Sequence, residues 1–239
     1  MELFYKENLV AYDESITLGA EESLHLSKVL RKKVGKMISV TNGKGLEWQG
    51  KIVSADARKA AIKKTDIILH QNRLIPLHIA IAPTKINDRL EWFLEKATEI
   101  GVSQITPLLC DHSERKVIKP ERLNKILIGG IKQSTQFFLP KLNPMISFKE
   151  FMKLEHPQTK LIAHCQKGDQ KALHQIQNLS RNILIMIGPE GDFSDREIKI
   201  ARLLNFGAIT LGEQRLRTET AGIVACSRVA TLREISKVE

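Results

Sequence analysis

The chain has 239 residues, of which 42% are hydrophobic and 27% charged, and its net charge is +10. This length and composition predict a globular protein with one large domain or two smaller ones. No apolar run approaches the roughly 20 residues of a membrane helix, and the first residues lack the pattern of a secretory signal. The cysteines, Cys110, Cys165 and Cys226, are far apart and form neither a disulfide framework nor a metal motif. We therefore expect a cytoplasmic protein with no membrane partner.

Positive charge is concentrated in the first third of the chain. Between residues 28 and 64 there are 11 Lys or Arg residues against two acids, Glu47 and Asp56. A solvated basic face is the ordinary explanation of such a run. Its confinement to one small folded unit also favours a polyanionic partner, because each neutralised phosphate releases counterions. Nucleic acid is the natural candidate.

The first 72 residues are predicted to form a small β-barrel. Residues 37–41 and 46–53 alternate like strands on either side of an Asn42-Gly43 turn signal. Residues 60–69 resemble a further strand pair, and residues 21–31 a short helix. A polar, proline-bearing stretch at 71–76 is the best candidate for a domain boundary.

The pattern changes after this boundary, and residues 73–239 are predicted to form an α/β domain. Asp88 with Glu91, and Ser194 with Glu197, have the spacing of capping boxes at helix starts, and Gly101 is placed to end the first of these helices. Alternation of strands and helices indicates a mostly parallel sheet covered on both faces. The predicted strands are 77–82, 102–109, 160–164, 182–187 and 208–211, and the predicted helices lie at 88–100, 121–136, 194–204 and 218–235.

Two glycine-bearing turns, 187–193 (IGPEGDF) and 211–221 (LGEQRLRTETA), each follow a predicted strand. Both should lie at one edge of the sheet, where open α/β proteins bind ligands. Pro189 removes a backbone N–H donor, and Glu190 and Asp192 place negative charge where a phosphate would lie. The turns therefore favour a neutral or cationic adenosine-like ligand over a nucleotide with phosphates.

Arg217 precedes the predicted terminal helix, where the helix dipole disfavours a cation by about 0.3–1 kcal/mol. Such a position suggests a function, such as holding a phosphate or a developing anion. Glu219 is less informative, because the same dipole explains an acid in the first turn. His25, His112 and His164 lack ligand spacing, so no metal is expected.

Together these segments resemble a known family, the knotted SPOUT methyltransferases, and more narrowly the bacterial 16S rRNA uracil-N3 methyltransferases. The resemblance extends over almost the whole chain. It is carried by the two turns and by four further segments: His25-Leu-Ser-Lys-Val-Leu-Arg31, Glu95-Lys-Ala-Thr-Glu-Ile-Gly-Val102, Ser113-Glu-Arg115 and Lys132-Gln-Ser134.

The resemblance implies a PUA-like RNA-binding β-barrel over residues 1–72 and a trefoil-knotted, mostly parallel α/β methyltransferase domain over residues 73–239. It also implies a homodimer, S-adenosyl-L-methionine as methyl donor, and 16S rRNA of the 30S subunit as substrate. By motif position, the cofactor contacts fall on His164, Ile187, Gly188, Gly191, Leu211, Gly212, Leu216, Arg217 and Thr218.

Within this family, Arg217 is our candidate catalytic residue, with Glu219 a second candidate for orienting it or relaying a proton. Arg31, Lys32, Lys33 and Arg115 are the candidate RNA contacts.

The chain departs from the family pattern at two places. Lys132-Gln-Ser-Thr-Gln136 stands where the family usually has Glu-Gln-Ser-Gly-Arg, and Gly191-Asp192 stands where it commonly has Gly-Gly.

Three other functions stay open at this point. The chain could methylate another rRNA or tRNA base, or it could be a non-catalytic RNA-binding assembly factor. A nicotinamide dehydrogenase is disfavoured, because no GxGxxG follows a strand.

Overall fold

The computed structural model describes residues 2–72, 76–157, 159–166, 168, 170–176 and 182–235. The chain divides into two compact units, Met1–Arg73 with Ile128–Leu139, and Leu74–Leu127 with Pro140–Glu239. The division falls inside one helix, α3 (Pro120–Gln133). Residues 128–139 are grouped with the first unit although they follow the boundary predicted at residue 72.

The first unit is built on a five-stranded sheet with the order β1-β3-β4-β5-β2. All neighbouring strands are antiparallel except β1 and β3. A short helix α1 (Ala20–Leu24) continues into a wider helical turn, His25–Val29, as predicted. The strands are β1 (Leu3–Tyr5), β2 (Ser15–Thr17), β3 (Met37–Thr41), β4 (Leu46–Ser54) and β5 (Ala61–Leu69).

The core of this unit includes the fully buried Trp48, Phe4 and Leu26. The hairpin predicted around Asn42-Gly43 is confirmed, since Thr41 of β3 pairs with Glu47 of β4. The strand pair predicted for residues 60–69 is wrong. Residues 61–69 form the single strand β5, because β4 is long enough to pair with it from Ala61 to Leu69.

The second unit contains a parallel sheet with the order β11-β13-β10-β12-β6-β7-β8, and β9 pairs with β7. Every residue of β12 is buried, as expected for a strand covered on both faces. The strands are β6 (Leu77–Ile81), β7 (Gln104–Leu109), β8 (Lys141–Leu142), β9 (Ile146–Ser147), β10 (Thr159–Ala163), β11 (Lys171–Ala172), β12 (Ile183–Ile187) and β13 (Gly207–Thr210).

Among the residues that the structure describes, four α-helices accompany this sheet besides the first part of α3. They are α2 (Asn87–Ile100), α4 (Phe148–Phe151), α5 (Asp195–Leu203) and α6 (Thr218–Ile235). The predicted α/β fold with a mostly parallel sheet after a PUA-like unit is confirmed. In the part of the chain that the structure describes, no helix combines the length and apolar character needed to cross a membrane.

One of the two predicted capping boxes is present. The Ser194 hydroxyl accepts from the Glu197 N–H, and the Glu197 carboxylate accepts from the Ser194 N–H, so α5 begins as predicted. The cap predicted at Asp88 is wrong. Helix α2 begins one residue earlier, Ile86 occupies its cap position, and Asp88 lies within the first turn.

Candidate active site

The carboxyl ends of β10, β12 and β13 meet at one edge of the sheet. These strands are adjacent and parallel, with β10 between the other two. The first glycine-bearing turn follows β12 after Ile187, and the second follows β13 after Thr210. The prediction that both turns lie at the same sheet edge is therefore confirmed.

Direct hydrogen bonds join the two turns. The Thr218 hydroxyl donates to the Gly188 carbonyl oxygen at 3.1 Å, and the Arg215 guanidinium donates to the Glu190 carbonyl oxygen at 3.3 Å. These bonds place the start of α6 against the turn that follows β12. The turns thus form the walls of one cleft.

This cleft has a larger part of about 610 Å³ and a smaller part of about 270 Å³. Among the residues that line both parts, Ala163 ends β10, Ala221 lies in the first turn of α6 and the others lie in the connecting segments. These shared residues are Ala163, Cys165, Asp192, Arg215, Leu216 and Ala221.

Most of the predicted cofactor residues line this cleft. The larger part is lined by His164, Leu211, Gly212 and Leu216. The smaller part is lined by Ile187, Gly188, Leu216, Arg217 and Thr218.

Gly191 lines neither part of the cleft. Its carbonyl oxygen lies 3.1 Å from Nδ1 of His112, and an added Cβ would lie 3.1 Å from the Cβ of His112. Gly191 therefore allows the turn to pack closely against His112, which follows β7. A direct contact of Gly191 with a ligand stays a prediction.

Steric limits explain why glycine occurs at positions 188 and 212, one in each turn. A Cβ at Gly188 would lie 3.0 Å from the Phe193 ring, and Gly212 has a φ of +130°, which other residues rarely adopt. Larger residues at either position would move the walls of the cleft.

The first turn provides few backbone donors for a phosphate. Pro189 has no N–H, the Asp192 N–H donates to the Pro189 carbonyl oxygen, and the Phe193 N–H donates to the Asp192 carboxylate. A phosphate-binding loop needs several free N–H groups directed at its ligand. The geometry therefore agrees with a ligand that lacks phosphate at this turn.

His164 has a polar atom suited to a bound ligand. The imidazole is buried, its Nδ1 lies 3.0 Å from Nε2 of Gln170, and its own Nε2 has no partner among the described residues. Burial lowers the pKa of His164, and the nearby Asp192 charge opposes this with a smaller effect. With Nδ1 accepting from Gln170, Nε2 carries the proton and can donate a hydrogen bond.

Arg217 lies at the start of α6, where its carbonyl oxygen accepts from the Ala221 N–H. Its side chain is exposed and lines the smaller part of the cleft. Its guanidinium has no hydrogen-bond or ion-pair partner in the described portion of the structure, and is therefore available to a ligand.

Glu219 lies two residues further along α6 but does not line the cleft. It is buried, and its Oε1 lies 3.7 Å from Nε of Arg89 on α2. Its Oε2 has no partner within the described ranges. The structure brings Arg217 to the cleft but directs Glu219 towards Arg89.

The candidate RNA contacts have different surroundings. Arg31 and Lys33 are exposed, whereas Lys32 forms an ion pair with Glu2 at 2.7 Å. In the second unit, the half-buried Arg115 donates from Nε to the Thr84 carbonyl oxygen at 2.8 Å and from a second nitrogen to the Lys85 carbonyl oxygen. Its visible function is to hold the loop after β6, and an RNA contact by Arg115 stays a prediction.

Sequence reasoning missed several side chains of this site, among them Cys165 and Gln170. Both line the larger part of the cleft. Cys165 could have been found, because it closely follows a predicted strand that ends at the same sheet edge. Gln170 has no such signal, since it reaches His164 through a loop.

Comparisons with known proteins identify the class to which this fold and cleft belong. Residues 70–230 match the model of the RNA methyltransferase domain, and residues 18–65 match that of the RNA methyltransferase PUA domain. The chain belongs to this RNA methyltransferase family.

Particular relatives narrow the class. The chain is 27% identical to ribosomal RNA small subunit methyltransferase E of Rickettsia conorii, over 95% of this chain and 94% of the relative. It is 26% identical to the protein of the same name from Bacillus subtilis, over 92% and 91%.

Solved structures match nearly the whole chain. A probable rRNA-methyltransferase from Porphyromonas gingivalis is 35% identical with a TM-score of 0.90, over 99% of this chain and 100% of that one. Ribosomal RNA small subunit methyltransferase E from Neisseria gonorrhoeae, bound to S-adenosyl methionine, is 28% identical with a TM-score of 0.86, over 97% and 98%.

Proposed function

We propose that this protein uses S-adenosyl-L-methionine to methylate N3 of one uridine in 16S rRNA, during maturation of the 30S subunit. The observation that carries the proposal is the single cleft formed by the two turns, with the guanidinium of Arg217 unpaired at its edge. Support also comes from relatives named as small-subunit rRNA methyltransferases.

The cleft has the chemistry that this cofactor needs. Ile187, Gly188, Leu211, Gly212, Leu216 and Thr218 would surround the adenosine-bearing part, and the Nε2–H of His164 would donate to one of its polar atoms. Gly191 would act by shaping the turn. The cofactor supplies a methyl group bonded to a sulfonium, and the sulfur becomes a neutral thioether when it loses this group.

Arg217 would serve the nucleophile rather than the leaving group. Uracil N3 attacks well only as an anion, whose charge spreads onto O2 and O4. A guanidinium can stabilise this charge through two parallel N–H donors. Glu219 is a second candidate for orienting Arg217 or relaying the proton, and the weaker one, because it does not line the cleft.

RNA recognition would use the basic first unit. N3 lies on the Watson–Crick edge, so the target uridine must be unpaired or flipped out of its helix. Arg31, Lys32 and Lys33 would hold rRNA phosphates, and Arg115 would do so from the second unit. The proposal assigns RNA binding to residues 1–72 and catalysis to residues 73–239, in a cytoplasmic homodimer.

Replacing Arg217 tests the catalytic assignment. We expect Arg217→Ala to lower kcat by about 100-fold or more, as when a preorganised donor to a developing anion is removed. Methyl transfer from labelled cofactor to 30S subunits lacking the modification measures this. Arg196→Ala is the matched control, since it removes an exposed guanidinium that pairs with Asp111 outside the cleft. A folded Arg217→Ala protein with wild-type kcat would remove Arg217 from the mechanism.

Two further measurements separate this function from its alternatives. Mass-spectrometric mapping of the methylated nucleotide distinguishes N3 of a 16S uridine from another rRNA or tRNA base. Failure to bind S-adenosyl-L-methionine in calorimetry would instead favour a non-catalytic RNA-binding assembly factor.

A further inference from the structure

We propose that Asp192 determines cofactor specificity: its carboxylate favours the cationic methyl donor over the neutral thioether product, S-adenosyl-L-homocysteine. The inference rests on the proposed function, and it concerns discrimination between the two cofactor forms. It starts from a residue that stands where the family commonly has glycine.

The backbone holds Asp192 in an unusual conformation. Its φ is +63°, in the left-handed region that Asp tolerates better than most residues. Its N–H donates to the Pro189 carbonyl oxygen at 2.9 Å, and its carbonyl oxygen lies 3.0 Å from Nδ1 of His112. The hydrogen bonds of its N–H group and its carbonyl oxygen therefore hold the backbone of Asp192 in place, and this backbone sets the direction of the side chain.

The carboxylate is fixed as well. Oδ2 accepts from the Cys165 N–H at 2.7 Å, and Oδ1 accepts from the Phe193 N–H at 2.8 Å. No Lys, Arg or His side chain forms an ion pair with it among the residues for which contacts are described. The carboxylate is thus hydrogen-bonded, but no cation neutralises its charge. Asp192 lines both parts of the cleft.

The other charged side chains that line the cleft do not cancel the negative charge of Asp192. Glu213, Asp192 and Arg215 line the larger part, so acids outnumber bases there. The smaller part adds Glu190 and Arg217. Arg215 lines both parts too, but its guanidinium donates to the Glu190 carbonyl oxygen rather than to Asp192.

The two cofactor forms differ in the charge on sulfur, with which a carboxylate interacts. They share the adenosine, the ammonium and the carboxylate, and only the donor has a positive sulfur. A fixed negative charge in the same cleft therefore stabilises the donor more than the product. Methyl transfer removes that attraction, which favours release of the product.

Isothermal titration calorimetry with each cofactor form tests this inference. Asp192→Asn keeps the size of the side chain and an acceptor oxygen but removes the charge. We expect the ratio of the product Kd to the donor Kd to fall about 3- to 10-fold, as estimated for a partly solvent-screened charge pair. Asp192→Gly, which suits the positive φ, should lower the ratio similarly and serves if the Asn variant fails to fold.

The control is Asp88→Asn, which makes the same charge change at an exposed side chain of the second unit that does not line the cleft. Its Kd ratio should equal that of the wild type. Equal changes of both Kd values in the Asp192 variants, or no change in either, would overturn the inference while leaving the proposed function intact. A wild-type protein that binds neither form would overturn the proposed function, and this inference with it.

Discussion

Three helices end with the same backbone arrangement but with different residues in the left-handed position. Gly101, Thr135 and Asn205 have φ values of +98°, +55° and +59° after α2, α3 and α5. At each end, the N–H of the following residue donates to a carbonyl oxygen five residues earlier, as in a Schellman motif. Gly and Asn suit this position, whereas a β-branched side chain is strained there.

We expect Thr135→Gly to stabilise the protein by about 1 kcal/mol, because relief of the strain exceeds the added entropy of the unfolded chain. Differential scanning calorimetry measures the change. Asn205→Gly is the matched control, with the same motif but a residue that tolerates the conformation, and it should have a smaller effect. Loss of stability in the Thr135 variant would show that the Thr side chain contributes more than its strain costs.

At the scale of elements, a partly buried hydrogen-bond network joins the strands of the first unit to residues 128–139. The carboxylate of Glu47 on β4 accepts from the Ser39 hydroxyl and the Gln49 amide, and lies 2.8 Å from Nε2 of His70. The His70 ring stacks on Phe137 at 4.0 Å. Phe137 also accepts at its carbonyl oxygen from the Gly45 N–H. The network thus fastens the segment after α3 to the sheet.

This network predicts a dependence of stability on pH. Burial raises the pKa of Glu47, but the hydrogen bonds from Gln49, His70 and Ser39 together lower it more, so the folded pKa is below the ordinary value of 4.5. The stabilisation is present above that value and is lost as pH falls through the folded pKa.

We expect Glu47→Gln to cost about 1–3 kcal/mol at neutral pH and to weaken the acid dependence of unfolding. The measurement is urea unfolding of the wild type and the variant at pH values from 7 down to about 3, a range in which carboxyl groups titrate. A variant with the wild-type acid dependence would contradict the assignment. Glu155→Gln, on the second unit, serves as a charge control.

At the scale of the whole molecule, the uneven charge is the main electrostatic property. The stretch from residue 28 to 64 carries a net charge of +9, from 11 basic residues and two acids. Within the described residues, two of these cations pair with acids outside the stretch, Lys32 with Glu2 and Lys64 with Glu14. Exposed residues such as Arg31 and Lys33 are left for a polyanion.

We expect the affinity for 16S rRNA fragments to fall steeply with salt, because bound phosphates release counterions. The double variant Arg31→Gln, Lys33→Gln should reduce the log–log salt slope by about 2, one for each lost phosphate contact. Filter binding across a salt series measures the slope. The control is Lys149→Gln, Lys199→Gln, which removes the same charge from exposed positions on the second unit. A salt-independent affinity would contradict the proposal that the basic residues of the first unit bind rRNA phosphates.

Apart from the short elements β8, β9, β11 and α4, the sequence by itself determined the strands and helices of the second unit, the two turns and most of the cofactor residues predicted for the cleft between them. These depend on local periodicity, on caps such as Ser194 and on backbone demands at positions such as Gly188. Only the tertiary structure decided that β10 lies between β12 and β13, which brings Cys165 to Asp192. It alone also turned Glu219 towards Arg89. Strand neighbours and side-chain directions depend on contacts between residues far apart in the chain, and no local pattern encodes them.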